Sequence, residues 1–364
     1  MNTGNDNHAR LASIDALRGF TMLFIMGGAP LVVALCKILP AQLTGFSEFM
    51  ISQMNHVKWN GLAFEDMIFP IFLFLAGVSF TFSCAKSLEK GYTKSKIALI
   101  AFKRMVVLII LGLIYGGLFN LNFAELRYPS VLARIGIAWF FAAIFYLNFK
   151  ANIRLAICAG ILLFYWAIMA PFGYTLESNL VGIVDRAVLP GTLHEKIFDP
   201  EGLLSTLPAI STAMLGVFAG ELLRSTKLTS AKIVICLLTT GALLIVLGYI
   251  WGFYMPINKK LWTSSYVCCV GGISYLLLAF FYGIIDVLKY KRWAFFFIVI
   301  GMNSITIYMA QRIVNFRGIT QFFGNGLVGL FPQEYQGVVG AACYVVVAWS
   351  FLFFLYKNKI FLKV

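Results

Sequence analysis

Uninterrupted apolar runs of about 20 residues recur along this chain, each long enough as a helix to cross a ~30 Å hydrocarbon layer, and they leave few folds open. Ten such runs are read, at 14–36, 66–85, 97–118, 130–147, 152–170, 203–223, 231–254, 264–286, 293–311 and 338–356. Composition agrees: 60% of residues are hydrophobic and only 12% are charged. The runs are continuous rather than alternating, which excludes a transmembrane barrel built from ~10-residue dyads. The expected fold is all-α, a polytopic transmembrane bundle of about ten spans, with 10–364 as one membrane domain behind a short disordered polar lead at 1–9.

Basic residues orient the bundle. With the N-terminus placed in the cytoplasm, 19 of the 29 Lys and Arg fall on the inner side, and this bias favours both termini inside. The net charge of +14 is therefore read as topology and attraction to anionic lipid, with no nucleic-acid partner. Seven cysteines lie in or beside apolar spans without a CxxC pair, so neither a disulfide framework nor a metal site is expected. The first apolar run is too long for a cleavable signal and is expected to stay attached.

In so apolar a chain, the polar cluster NHVKWNGLAFED stands out. It places His56, one of three histidines, within ten residues of Trp59, Asn60, Glu65 and Asp66 at the mouth of the second span. A titratable imidazole beside carboxylates at a membrane boundary marks a candidate site, with His56 and Asp66 as its catalytic pair. The plainer reading makes Trp59 an interfacial anchor and Asp66 a helix N-cap. Elsewhere, Arg18 stands three residues from Asp15 and can pair with it, or meet an anionic group of a cytoplasmic ligand. Arg134, one turn into the fourth span, must snorkel or face protein. Asn258 and Lys260, in the outer loop PINKKLWTSSY, share the side of His56; Asn303 and Ser304 lie inside the ninth span, where polar groups glue helices or line a pocket. His194, in an acidic outer loop, reads as an ordinary solvated histidine.

Taken in order, the DALRG opening, H-x-x-W-N-G with the following D-x-x-F-P, RYPSVLARIG, DPEGLLSTLPA, PINKKLWTSSYV, GMNSITIY and the basic ending YKNKIFLKV resemble the heparan-alpha-glucosaminide N-acetyltransferase family, in its compact bacterial form. The resemblance covers roughly residues 10–364 and lacks the lysosomal enzyme's luminal N-terminal region and extra first span. It implies a multi-pass enzyme of the inner membrane that moves an acetyl group from cytoplasmic acetyl-CoA, a cosubstrate, to an amino sugar of glucosamine type on the outer side. The family's catalytic histidine falls on His56, which can deprotonate the amine or accept the acetyl group itself. Trp59, Asn60, Arg18, Arg134, Asn258, Lys260, Asn303 and Ser304 are the candidate substrate-binding positions, Arg134, Asn303 and Ser304 lining a polar passage for the thioester arm. One departure is Ala29, at a position where the lysosomal enzyme carries an asparagine, so the acceptor or the mechanism is expected to differ. Expected partners are acetyl-CoA, the amino-sugar acceptor and membrane lipid, with a homodimer as a candidate assembly. A carrier of amino sugars is the competing class, and it would show inverted halves with interrupted helices.

Overall fold

The computed structural model describes residues 11–362, and the polar lead at 1–9 lies outside them. Its helices are α1 (Ala12–Leu23), α2 (Ala29–Lys37), α3 (Thr44–Gln53), α4 (Phe64–Glu89), α5 (Lys94–Tyr115), α6 (Val131–Asn148), α7 (Ala151–Met169), α8 (Leu180–Val188), α9 (Thr206–Leu223), α10 (Ser230–Gly252), α11 (Ser264–Tyr282), α12 (Phe295–Met302), α13 (Ser304–Ile313), α14 (Phe316–Gly329) and α15 (Gln333–Lys357). Among the described residues nine helical runs are long and apolar enough to cross a membrane, and the bent pair α12–α13 makes ten.

Two of the ten expected spans are sharply interrupted within their length. The first runs from Ala12 to Lys37 through a π-turn at Phe24–Gly28, where Gly27 takes φ 131°. An added Cβ there would stand 2.8 Å from the Tyr344 ring, so both the backbone angle and the contact require glycine. In the ninth, expected at 293–311, the axes of α12 and α13 meet at 68° across Asn303. A continuous apolar window cannot reveal such a break, because hydropathy is blind to backbone angle.

Three helices form the centre. In α4, α9 and α11, 72%, 78% and 67% of the apolar window is buried, against 22% in each of α5, α7, α10 and α15, which face outward. Close approach of α4 and α9 depends on small residues: a Cβ on Gly216 would meet the Phe74 carbonyl oxygen at 1.9 Å. This buried centre holds α4 and α11 rigidly, and the candidate site sits at one end of both.

Candidate functional site

The site begins with the way α4 starts. Ala63 is extended and precedes the first turn, and Asp66, three residues on, accepts a hydrogen bond from the Ala63 amide at 3.3 Å. Asp66 is thus not the N-cap expected from sequence but the residue that reaches back to it. Its other contacts tie down the preceding loop: it accepts from the Val57 amide at 3.2 Å, and its Oδ1 lies 2.9 Å from His56 Nδ1. The buried carboxylate can only accept, so a neutral imidazole paired with it donates from Nδ1 and keeps its lone pair on Nε2.

A proline fixes the same residue from behind. Pro70 has no N–H to offer the Asp66 carbonyl four residues earlier, and that oxygen instead accepts from Tyr266 Oη at 2.7 Å. Tyr266, on α11, is fully buried. The D-x-x-F-P sequence therefore binds the head of α4 to α11, with both the backbone and the side chain of Asp66 held.

Lys259 completes the charged centre, its Nζ 3.4 Å from Asp66 Oδ1 and 3.2 Å from His56 Nδ1. Since Nδ1 donates to the carboxylate, the pairing of Lys259 is with Asp66. Burial pushes the Lys259 ammonium below the usual lysine range, against the pull of Asp66 and Glu201. Sequence reading placed Lys259 on this side of the membrane but did not single it out. Its partner is some 190 residues away in the chain, so proximity comes only from the fold.

These groups line a cavity of about 330 Å³ whose wall includes His56, Trp59, His194, Glu201, Lys259 and Lys260, with Trp262 beside them. The walls are set by pairings between loops. Trp59 Nε1 donates to the Tyr174 carbonyl at 2.7 Å and its ring meets Phe198 edge-on. Asn258 Nδ2 donates to Asn60 Oδ1 at 3.0 Å, joining the two loops that carry His56 and Lys259. Lys260 donates to Glu195 at 2.7 Å. His194 lines the same cavity, although its sequence context gave no such indication.

The DPEG turn is anchored separately. Arg127 grips the buried Asp199 with two parallel hydrogen bonds of 2.7 and 2.6 Å and also contacts Glu201. Burial opposes the Arg127 charge, but the hydrogen bonds of Asp199 and Glu201 outweigh it and hold the guanidinium above its ordinary range. Asp185 accepts from the amides of Asp199 and Leu203, while burial pushes its own carboxyl up to about 6.

The remaining candidates fall into different places. Arg134 does not snorkel: it is 1% exposed, donates to the Gly202 carbonyl and Ser205 Oγ, and lies 4.9 Å from the Trp262 ring. It supports the cavity floor through that ring. Arg18 binds Asp15 and Ser79 in α1 and α4, away from the lining of the cavity. Asn303 sits at the α12–α13 break, and Ser304 borders a separate apolar void of about 30 Å³. Ala29 is buried just past the π-turn of the first crossing. Among the described residues no cluster of His, Cys, Asp and Glu is suited to a metal ion.

No family model matches the chain. It is similar to the curated protein heparan-alpha-glucosaminide N-acetyltransferase of Homo sapiens, 26% identical over 424 residues that cover 98% of this chain and 60% of the relative. The Mus musculus protein of the same name is 26% identical over 374 residues, covering 85% of this chain and 56% of the relative. The chain thus spans somewhat over half the length of the relatives it matches.

Proposed function

We propose that this chain, as a member of the heparan-alpha-glucosaminide N-acetyltransferase family, is a membrane acetyltransferase that transfers the acetyl group of acetyl-CoA to the amine of an amino sugar. The observation that carries the reading is the 2.9 Å contact of His56 Nδ1 with buried Asp66, which presents Nε2 at a polar cavity. A base held in one tautomer by a carboxylate is the arrangement needed for proton transfer from an attacking amine. The amine nitrogen attacks the thioester carbonyl, the N–C bond forms and the C–S bond breaks. The amine proton passes to Nε2 and from there to the departing sulfur. Asp66 stabilises the imidazolium in between, and Lys259 balances the Asp66 charge.

The cavity suits an amino sugar and the thioester end of the donor rather than the whole coenzyme. At the other end of α4, roughly 30 Å away for a helix of 1.5 Å rise per residue, a space of about 350 Å³ is lined by Ser83, Ser87, Lys103 and Arg104. Arg104 Nε is buried there without a partner among the described residues, and its guanidinium lies over Trp139 at 4.5 Å. This basic end is where the nucleotide would rest. The Lys and Arg bias supports a cytoplasmic placement of this end, with both termini on that side and the His56 cavity outside.

A transporter of inverted repeats would interrupt helices at matching positions of its two halves. The breaks here fall in the first and ninth crossings, which are not equivalent in two halves of five spans. The deciding experiment uses proteoliposomes carrying labelled acetyl-CoA on one side and glucosamine on the other. Wild type should form N-acetylglucosamine, and His56→Ala should lower the rate by ~100- to 10,000-fold while CoA binding persists. Activity of His56→Ala within a few-fold of wild type would remove His56 from the mechanism. Label retained on the protein when acceptor is withheld would make Nε2 the acetyl carrier rather than the base.

A further inference from the structure

A second and larger chamber, of about 710 Å³, lies between the first crossing and α13, α14 and α15, and shares no lining residue with the His56 cavity. Two breaks in helical backbone border it: the π-turn that ends at Gly28, and the Val314–Asn315 link between α13 and α14. Irregular backbone within a membrane bundle is stable where it is packed in protein or lines a polar space. Gln311 serves that purpose here, donating to Tyr344 Oη at 3.2 Å and reaching the Ile25 carbonyl at 3.5 Å.

The composition of α14 shows what the chamber is built for. Arg317, Gln321 and Asn325, all three exposed, recur every four residues, form one stripe and line the chamber, while Phe322 and Phe323, 82% and 74% exposed, do not line it. A helix with one polar and one apolar exposed side suits a membrane boundary, and α14 lies between the ninth and tenth crossings rather than within one. Among the described lining residues Arg317 is the sole cation, and no carboxylate accompanies it. Arg317 is itself exposed along the chamber lining, where its planar fork can bind an anion through two oxygens while the flanking amides suit neighbouring hydroxyls.

We propose that this chamber binds a hydroxyl-bearing phosphate ester, with Arg317 on the phosphate and Gln321 and Asn325 on the hydroxyls. The proposal does not rest on the acetyl-transfer reading, because none of these residues borders His56. The same chemistry is offered by an anionic glycerophospholipid headgroup and by a free glycerol phosphate. The test is native mass spectrometry of the full chain in detergent, titrated with phosphatidylglycerol, phosphatidylcholine and glycerol phosphate. Wild type should retain phosphatidylglycerol over phosphatidylcholine, and Arg317→Gln should weaken that retention by about tenfold or more, the weight of one charge-assisted hydrogen bond. Asn325→Leu, on the same stripe, should weaken it less, with an unchanged thermal midpoint in both variants. Competition by millimolar glycerol phosphate would assign the site to the soluble ester, and lack of competition to the lipid. Equal retention by wild type and Arg317→Gln, or no preference over phosphatidylcholine, overturns the proposal.

Discussion

The hydrogen bond from Tyr266 to the Asp66 carbonyl exists because Pro70 cannot make the one a helix would normally supply, and this dependence can be measured. Tyr266→Phe removes only the hydroxyl, from a fully buried ring, and leaves a buried carbonyl without a donor. The expected loss is ~1 to 3 kcal/mol, the cost of an unsatisfied buried polar group. In a Pro70→Ala background the residue-70 amide returns and can donate to the same oxygen, so the second loss should shrink to below ~1 kcal/mol. The coupling energy of this double-mutant cycle should therefore be ~1 kcal/mol or more, and both changes avoid large cavities. Unfolding in detergent, followed by tryptophan fluorescence in all four proteins, gives the cycle directly. An equal effect of Tyr266→Phe in both backgrounds would refute the reasoning, since the hydroxyl would then be stabilising something other than the carbonyl freed by the proline.

Asp66→Asn keeps the size of the side chain but removes the charge that stabilises an imidazolium at His56, and should lower acetyl transfer about 100-fold or more with little change in acceptor KM. Asp185, raised from 3.8 to about 6, binds its proton more tightly in the folded state. Its contribution is complete below about pH 4 and is lost as pH rises through about 6, so the thermal midpoint should fall over that window, and Asp185→Asn should flatten the fall. For sidedness, a cysteine at Ser178 in a cysteine-free background should react with an impermeant thiol reagent in intact cells, and one at Tyr92 should not; the opposite pattern would invert the orientation.

The crossings were legible because each is a local property. An apolar run of about 20 residues must satisfy its backbone hydrogen bonds within itself, so Phe64–Glu89 or Ser230–Gly252 needs no tertiary information to be identified as a helix. The His56 and Asp66 pairing was also within reach, since ten residues separate them and the cluster stands alone in an apolar chain. Breaks in the first and ninth crossings were not legible: they keep the hydropathy of a straight span and change only its backbone angles. Nor could sequence place Lys259 beside Asp66, Arg127 on Asp199 or Arg134 beneath Trp262, because loop residues carry no periodicity that encodes a distant partner. Those contacts follow from the close packing of α4, α9 and α11. That packing brings the loops at one end of the bundle within hydrogen-bonding distance, and so decides which of the chain's few polar groups share a cavity.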